Sequence, residues 1–289
     1  NSSAPGKQGA VDAAGAAAIV KEKGAAPTHV LLDGKGEVGR LYDAKTTPHM
    51  FIVDKSGKLA YAGAGSSGLM GLADCLELSG TFGIPPSQTP MLFAGGAAAL
   101  LHMVGSVEDD ANQAARDVAA AGLGAGDVVI CVAASGSTPY TWAVARAARE
   151  AGAGVIGLAN TAGAALFDLS DVPVLIDSGA EVIAGSTRLG AATAQKAALN
   201  MISVLVGVRL GAVHDGYMVN LIADNIKLID RAARIVSAVA GVDDAAARAA
   251  LQATEGAVKP AILVARGLTF DAAVTALTAS GGKLDPHLN

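Results

Sequence analysis

Aromatic residues are scarce in this chain, 3% of 289 positions, while Ala, Val, Leu and Ile carry a hydrophobic content of 52%. With 36 glycines, that mix suits close-packed helices on a parallel sheet with Gly-rich turns and suits a β-sandwich poorly. Positive charge is also short. The net charge is −5 with no basic patch, which leaves nucleic-acid binding without an electrostatic footprint. The two cysteines, Cys75 and Cys131, sit in apolar segments and match neither a metal nor a Cys-x-x-Cys spacing. They read as buried free thiols, which fits a reducing compartment. Mean hydropathy is +0.44, yet the longest charge-free runs are interrupted. Ser135 to Pro139 breaks one, and Pro85, Pro86 and Pro90 break another, so neither has the ~20 apolar residues of a membrane span. No secretory signal pattern is visible.

What is present is a rhythm. From Lys58 onward, apolar runs at 59–62, 91–94, 128–133, 155–159 and 172–176 alternate with helical patterns at 67–78, 109–121 and 141–151. Strand, Gly/Ser loop, helix, repeated, predicts βαβ crossovers: an α/β fold with a doubly wound parallel sheet. After Asp177 the pattern predicts helices alone, at 187–210, 216–240, 243–254, 258–265 and 270–279, an all-helical C-terminal module. The expected division is 1–57, 58–212 and 213–289. Ahead of Lys58, a helix over 11–23 and strands at 29–32 and 50–53 are predicted.

Two loops carry the chemistry. The first strand runs into Gly63-Ala64-Gly65-Ser66-Ser67-Gly68 and then a helix, a G-x-G-x-x-G in the right context. A dinucleotide site would carry an acidic residue at the end of the next strand, and Met91 to Gly96 has none. The hydroxyls of Ser66 and Ser67 suit a phosphate monoester instead, with backbone N–H groups and a helix N-terminus facing the anion. The third strand ends in Ala134-Ser135-Gly136-Ser137-Thr138-Pro139, again before a helix. Either loop alone reads equally well as helix capping. Two at the C-terminal edge of one parallel sheet, where ligands of such sheets bind, favour a shared anion. A third cluster, Ser186-Thr187-Arg188, adds hydroxyls and a cation.

GAGSSG (63–68), TFGIPP (81–86), AGG (94–96), EDD (108–110), AASGSTPY (133–140), EVIAGSTR (181–188), TAQKAALNMIS (193–203) and NIKL (225–228) occur in order. Over residues 58–289 this resembles the sugar isomerase (SIS) fold, and within it the N-acetylmuramic acid 6-phosphate etherases. The resemblance implies a cytoplasmic, usually homodimeric enzyme of cell-wall sugar recycling that uses no metal or redox cofactor. It implies cleavage of the lactyl ether at C3 of a sugar phosphate by two carboxylates, which fall on Glu77 and Glu108. Glu108 is assigned the base and Glu77 the acid. Without the resemblance, Glu77 reads as an exposed helix carboxylate and Glu108 as a favourable charge at a helix start.

The pattern also departs from the family. Leu76-Glu77-Leu78-Ser79-Gly80 stands where Ser-Glu-Cys-Pro-Pro is usual, Ser137 where Arg is usual, and Gly190 where Lys is usual. The lost cations keep open an alternative, a non-catalytic SIS sensor of sugar phosphates. Residues 1–62 are similar to the second half of a thioredoxin-like redoxin, above all in AKTTPHMFIVDKSGKLAYAG (44–63), where Thr47-Pro48 is typically cis. No Cys precedes Cys75, so a redoxin-type thiol activity ranks last. The stretch 58–63 belongs to both resemblances and is expected to join the SIS sheet.

Overall fold

The computed structural model describes residues 57–221 and 226–288, which belong to a compact unit, Val53–Asn289. The redoxin-like segment, with its predicted helix and first strands, lies outside the described residues.

Five strands form one parallel sheet: β1 (Leu59–Gly63), β2 (Met91–Phe93), β3 (Val128–Val132), β4 (Gly154–Ala159) and β5 (Val172–Leu175). Their order is β2-β1-β3-β4-β5. Between them run α1 (Gly65–Phe82), α2 (Gly96–Leu101), α3 (Ala111–Ala121) and α4 (Pro139–Glu150), followed by α5 (Gly190–Arg209). Every residue of β1 and β3 is buried, as expected of strands covered on both faces. The period of two sorts them. Ala60, Ala62, Val129 and Cys131 face α3 and α4 in one core, and Leu59, Tyr61, Val128, Ile130 and Val132 face α1 and α5 in another. The sheet is therefore doubly wound, and 58–63 is its second strand from one edge.

Strand order reverses beside β1, which pairs with β2 on one side and β3 on the other. Gly63 and Val132, the last residues of β1 and β3, are register partners, so the loops that follow leave the sheet about 5 Å apart. Such a switch point opens a crevice at the carboxyl ends of the strands.

A third core is helical: α6 (Ile226–Ala240), α7 (Asp244–Ala253), α8 (Val258–Ala265), α9 (Phe270–Ala279) and α10 (Asp285–Leu288). Asp243 and Thr269 cap α7 and α9 by accepting from Ala246 and Ala272. Asn220 ties this end to the sheet domain, its Nδ2 donating to the Phe82 carbonyl at 2.6 Å.

Two helix expectations are corrected. Where 216–240 reads as one helix, β6 (Val213–His214) and β7 (Tyr217–Met218) form an antiparallel hairpin, and α6 begins only at Ile226. The turn is Asp215-Gly216, with φ of 47° and 80°, the two-residue hairpin that Asp-Gly favours. The helix expected over 187–210 starts at Gly190, because the Glu181 carboxylate accepts from the N–H groups of Gly190 and Ala191 at 2.8 and 2.9 Å. That carboxylate ends the preceding turns and starts α5. α5 is also long and apolar enough by composition for a membrane span, which the charge-free runs had not suggested. Its inner face, with Gln195, Leu199, Ser203 and Gly207 buried, packs against the sheet domain as a core helix does.

One close approach sets the crevice. A Cβ on Gly68 would lie 2.8 Å from the carbonyl of Gly63 and 2.7 Å from the Phe93 ring. Gly80, in the same helix, has nothing within 4 Å. A helical Gly→Ala normally stabilises by about 0.5–1 kcal/mol, and Gly80→Ala is expected to do so. Gly68→Ala is expected to reverse the sign, losing about 1–3 kcal/mol to overpacking. Urea denaturation of the two variants measures the contrast.

Candidate active site

Both loops at the switch point end in helices whose first turns are not capped by a side chain. Ala64 precedes α1 and offers no side-chain oxygen, and Thr138 precedes α4 without using its own. Pro139 occupies the first turn of α4, where the missing N–H costs nothing. Each helix therefore presents free N–H groups to the crevice, the arrangement that accepts anions. Gly65 (φ 51°) and Gly136 (φ 67°) hold left-handed conformations that bend the loops over the strand ends. Gly136 also has no room for a side chain, because Ala164 would meet its Cβ.

The predicted hydroxyls are unequal. Ser66 is half-buried at the start of α1, whereas Ser67 is buried beneath it. Ser135 and Ser137 are exposed; the Ser135 Oγ accepts from Ser137 N–H at 3.2 Å and from Ser137 Oγ at 3.1 Å. Thr138 is half-buried beside them. Ser186, Thr187 and Arg188 stand in turns ahead of α5. There Glu181 already supplies the anion for the helix N-terminus, so the third cluster is built as a capped turn rather than an open cradle.

Glu108 reaches the first loop. Its Oε1 lies 2.6 Å from where a Cβ on Gly65 would be, so the glycine makes room for the carboxylate. The residue sits in a 3₁₀ turn, Gly105–Asp109, and the rest of the EDD run has other work. Asp109 is exposed, while Asp110 caps α3 by accepting from Gln113 N–H at 2.9 Å. Gln113 fixes the turn against the sheet: its Oε1 accepts from Gly95 N–H and its Nε2 donates to the Phe93 carbonyl and to Asp117. Asp117 in turn accepts from the buried Tyr140 hydroxyl at 2.6 Å. Gly95 leaves space for Val107, the neighbour of Glu108. The AGG motif thus places the glutamate, although nothing in its sequence announces that role.

Partial burial, and then the adjacent Asp109, raise the Glu108 carboxyl above its ordinary range. A raised carboxyl holds a proton more readily, as a general base near neutral pH requires. Burial pushes the Cys75 thiol up to about 11 and raises Cys131 as well, so both stay protonated and inert.

Glu77 is elsewhere. It lies twelve residues beyond Gly65 on α1, about 18 Å along the helix axis, with an exposed side chain. Lys196 of α5 holds it at 3.2 Å. The same ammonium contacts Asp74 at 3.3 Å, a carboxylate only 2% exposed that also accepts from Tyr61 (2.8 Å) and Ser203 (3.1 Å). Within one chain the structure brings Glu108 to the first loop and does not bring Glu77 there. α1 runs unbroken past Glu77 to Phe82, with no proline in its length to interrupt it. Asp74, Lys196, Gln113 and Glu181 were not foreseen. Only their placement on α1, α5, α3 and an irregular turn gives them partners. Among the described residues no three His, Cys, Asp or Glu side chains converge as a metal site.

Comparison with known proteins decides the family. The chain is 47% identical over 231 residues to the N-acetylmuramic acid 6-phosphate etherase of Deinococcus radiodurans, covering 80% of this chain and 76% of that one. This chain belongs to the N-acetylmuramic acid 6-phosphate etherase family. Etherases of the same name from Geobacillus thermodenitrificans and Rubrobacter xylanophilus are each 44% identical. They cover 73% and 72% of this chain, and 71% and 69% of their own lengths. A SIS domain is matched over residues 49–160, which takes in β1 through β4 and both loops of this family's sheet.

The raised Glu108 carboxyl has a consequence for stability. A group whose folded-state affinity for protons exceeds its unfolded one favours folding when protonated, and that contribution is lost as pH rises through its folded-state titration. Glu108→Gln keeps the shape without the charge. It is expected to stabilise the protein at pH 7 and to be neutral near pH 3. Chemical denaturation at the two pH values checks the sign.

Proposed function

We propose that this chain cleaves the lactyl ether of N-acetylmuramic acid 6-phosphate, giving N-acetylglucosamine 6-phosphate and lactate in cell-wall sugar recycling. The observation that carries the reading is the Glu108 carboxylate seated against Gly65 at the switch point, in a chain 47% identical to a named etherase. The sugar phosphate lies with its phosphate over the N-termini of α1 and α4. There Gly65, Ser66, Ser135, Gly136, Ser137 and Thr138 supply N–H groups and hydroxyls, and Ser67 supports the loop from beneath. Ser186, Thr187 and Arg188 approach from the start of α5.

With the sugar ring open, the C1 aldehyde acidifies the C2 proton, and Glu108 removes it. The C3–O bond breaks as C2=C3 forms, Glu77 protonates the departing lactyl oxygen, and water adds at C3. The phosphate, remote from C2 and C3, contributes position rather than chemistry. Residues 58–212 form the sugar-phosphate domain and 213–289 the helical module that braces it. Two buried unpaired thiols fit a cytoplasmic, reducing setting.

The working form is a homodimer. Ala197, Met201, Val204, Leu205 and Val208 recur at helical spacing on the exposed face of α5, while its opposite face is buried. An apolar stripe on the outer side of a helix whose inner side is already buried suits a second packed surface. Ser137, where the family has Arg, favours the second reading, a SIS sensor that binds without turnover.

A coupled lactate assay with purified protein and the phosphorylated muramic sugar tests the reading. Wild-type protein is expected to release lactate, and Glu108→Gln to lower kcat about 10²–10⁴-fold. Thermal stabilisation by the sugar phosphate with no lactate would establish the sensor instead.

A further inference from the structure

We infer that Gln195 is a positioning residue for the substrate phosphate: through Asn160 it holds the second Gly/Ser loop and the 186–188 turn at one fixed spacing. The inference deepens the sugar-phosphate reading of the crevice and rests on it.

Asn160 follows the last residue of β4, at the carboxyl edge of the sheet, and bonds in three directions. Its N–H donates at 2.9 Å to the carbonyl of Ala134, the residue before Ser135, and the neighbouring Thr161 hydroxyl donates to the same oxygen at 3.2 Å. Its Nδ2 donates to the Ile176 carbonyl at 2.9 Å and to Ser178 Oγ at 3.3 Å, on the segment that leads from β5 toward Ser186. Its Oδ1 accepts from Gln195 Nε2 at 2.8 Å. Gln195 lies in the second turn of α5, whose first N–H groups Glu181 holds. One residue thus joins the second loop, the chain entering the 186–188 turn and the helix leaving it. The loop is also seated on the end of β4, since a Cβ on Gly136 would come 3.2 Å from the Ala159 side chain. A phosphate that accepts from both the loop and the turn needs their separation held to about 0.5 Å. A spacing set in advance lowers what binding must spend on ordering.

The amide orientations are forced. A carbonyl only accepts, so Ile176 fixes Asn160 Nδ2 on its own side and Oδ1 toward α5, and Gln195 must present its Nε2. Gln195 Oε1 is thereby turned to a place where it meets no donor among the described residues, in a side chain with no exposure. A buried acceptor without a donor costs stability. Leu199, one turn further along the same face of α5, is equally buried, so that face accepts an apolar side chain. Gln195 is therefore a poor choice for packing, and what it provides is the one bond to Asn160.

Gln195→Leu tests this, because leucine removes the donated bond and the orphaned oxygen together. Asn160 is only half-buried, so its freed Oδ1 can turn to water. The Tm of Gln195→Leu is expected to equal or exceed that of the wild type. Its affinity for N-acetylglucosamine 6-phosphate, read by calorimetry, is expected to fall about tenfold. KM for the phosphorylated muramic sugar is expected to rise by a similar factor while kcat stays within about threefold, since Glu108 stands at the other loop. Asn160→Ala cuts the link at its centre and is expected to lose at least as much affinity. The double variant is expected to lose no more than Asn160→Ala alone, as two residues of one chain of bonds should. Unchanged affinity in both single variants overturns the inference, and so does a loss of kcat at constant KM. Lowered Tm with unchanged affinity in Gln195→Leu would assign the residue to the fold alone and overturns it likewise. Wild-type protein that binds the sugar phosphate without releasing lactate would withdraw the etherase reading, and the affinities of the variants would still decide the role of Gln195.

Discussion

Everything at the crevice depends on how closely the end of β1 meets the first turn of α1. Gly63 and Gly68 touch backbone to backbone, with no room for a Cβ on either. Their contact turns the chain from strand to helix within a few residues and points the N–H groups of α1 over the carboxyl edge of the sheet. The second loop makes a similar turn from the neighbouring strand, with Gly136 pressed against Ala164. Phosphate binding at such a place comes from backbone geometry more than from cations. This gives a physical reason why Ser137 can stand where the family has Arg and the cradle still have its shape.

The acidic groups show how burial sorts residues of one chemical type. Asp74, Asp110, Asp117 and Glu181 each have fixed donors and serve structure: a buried anchor, two helix starts and a link between α3 and α4. Glu108 has been given space by Gly65 and is partly desolvated beside Asp109, which raises its proton affinity. A carboxylate whose oxygens already accept from fixed donors is committed to the fold, whereas one with space around it and partial burial is free to take up another partner.

How legible this was in the sequence varies with the range of the interaction. The five strands, the first and second loops and the helices of the tail all follow local periodicity and turn chemistry. The hairpin at 213–218 was also written locally, in Asp215-Gly216, but two-residue strands are too short for alternation to register against the surrounding helical pattern. The start of α5 was misplaced because its capping carboxylate, Glu181, is nine residues away across irregular turns. Gln113 looks like any polar residue on a surface helix. Its role in holding the Glu108 turn appears only when β2 is beside it.

The sequence by itself determined the alternation of strand and helix, the glycines that force each turn, and the family, because these rest on neighbours along the chain and on an ordered series of motifs. Only the tertiary structure decided which acids meet. Strand order β2-β1-β3-β4-β5 sets the two Gly/Ser loops side by side, and the straight run of α1 carries Glu77 away from Glu108 toward Lys196. Spacing along a chain gives the distance between two side chains only within one helix or strand; between elements, that distance is set by packing, to which residues far apart in sequence all contribute.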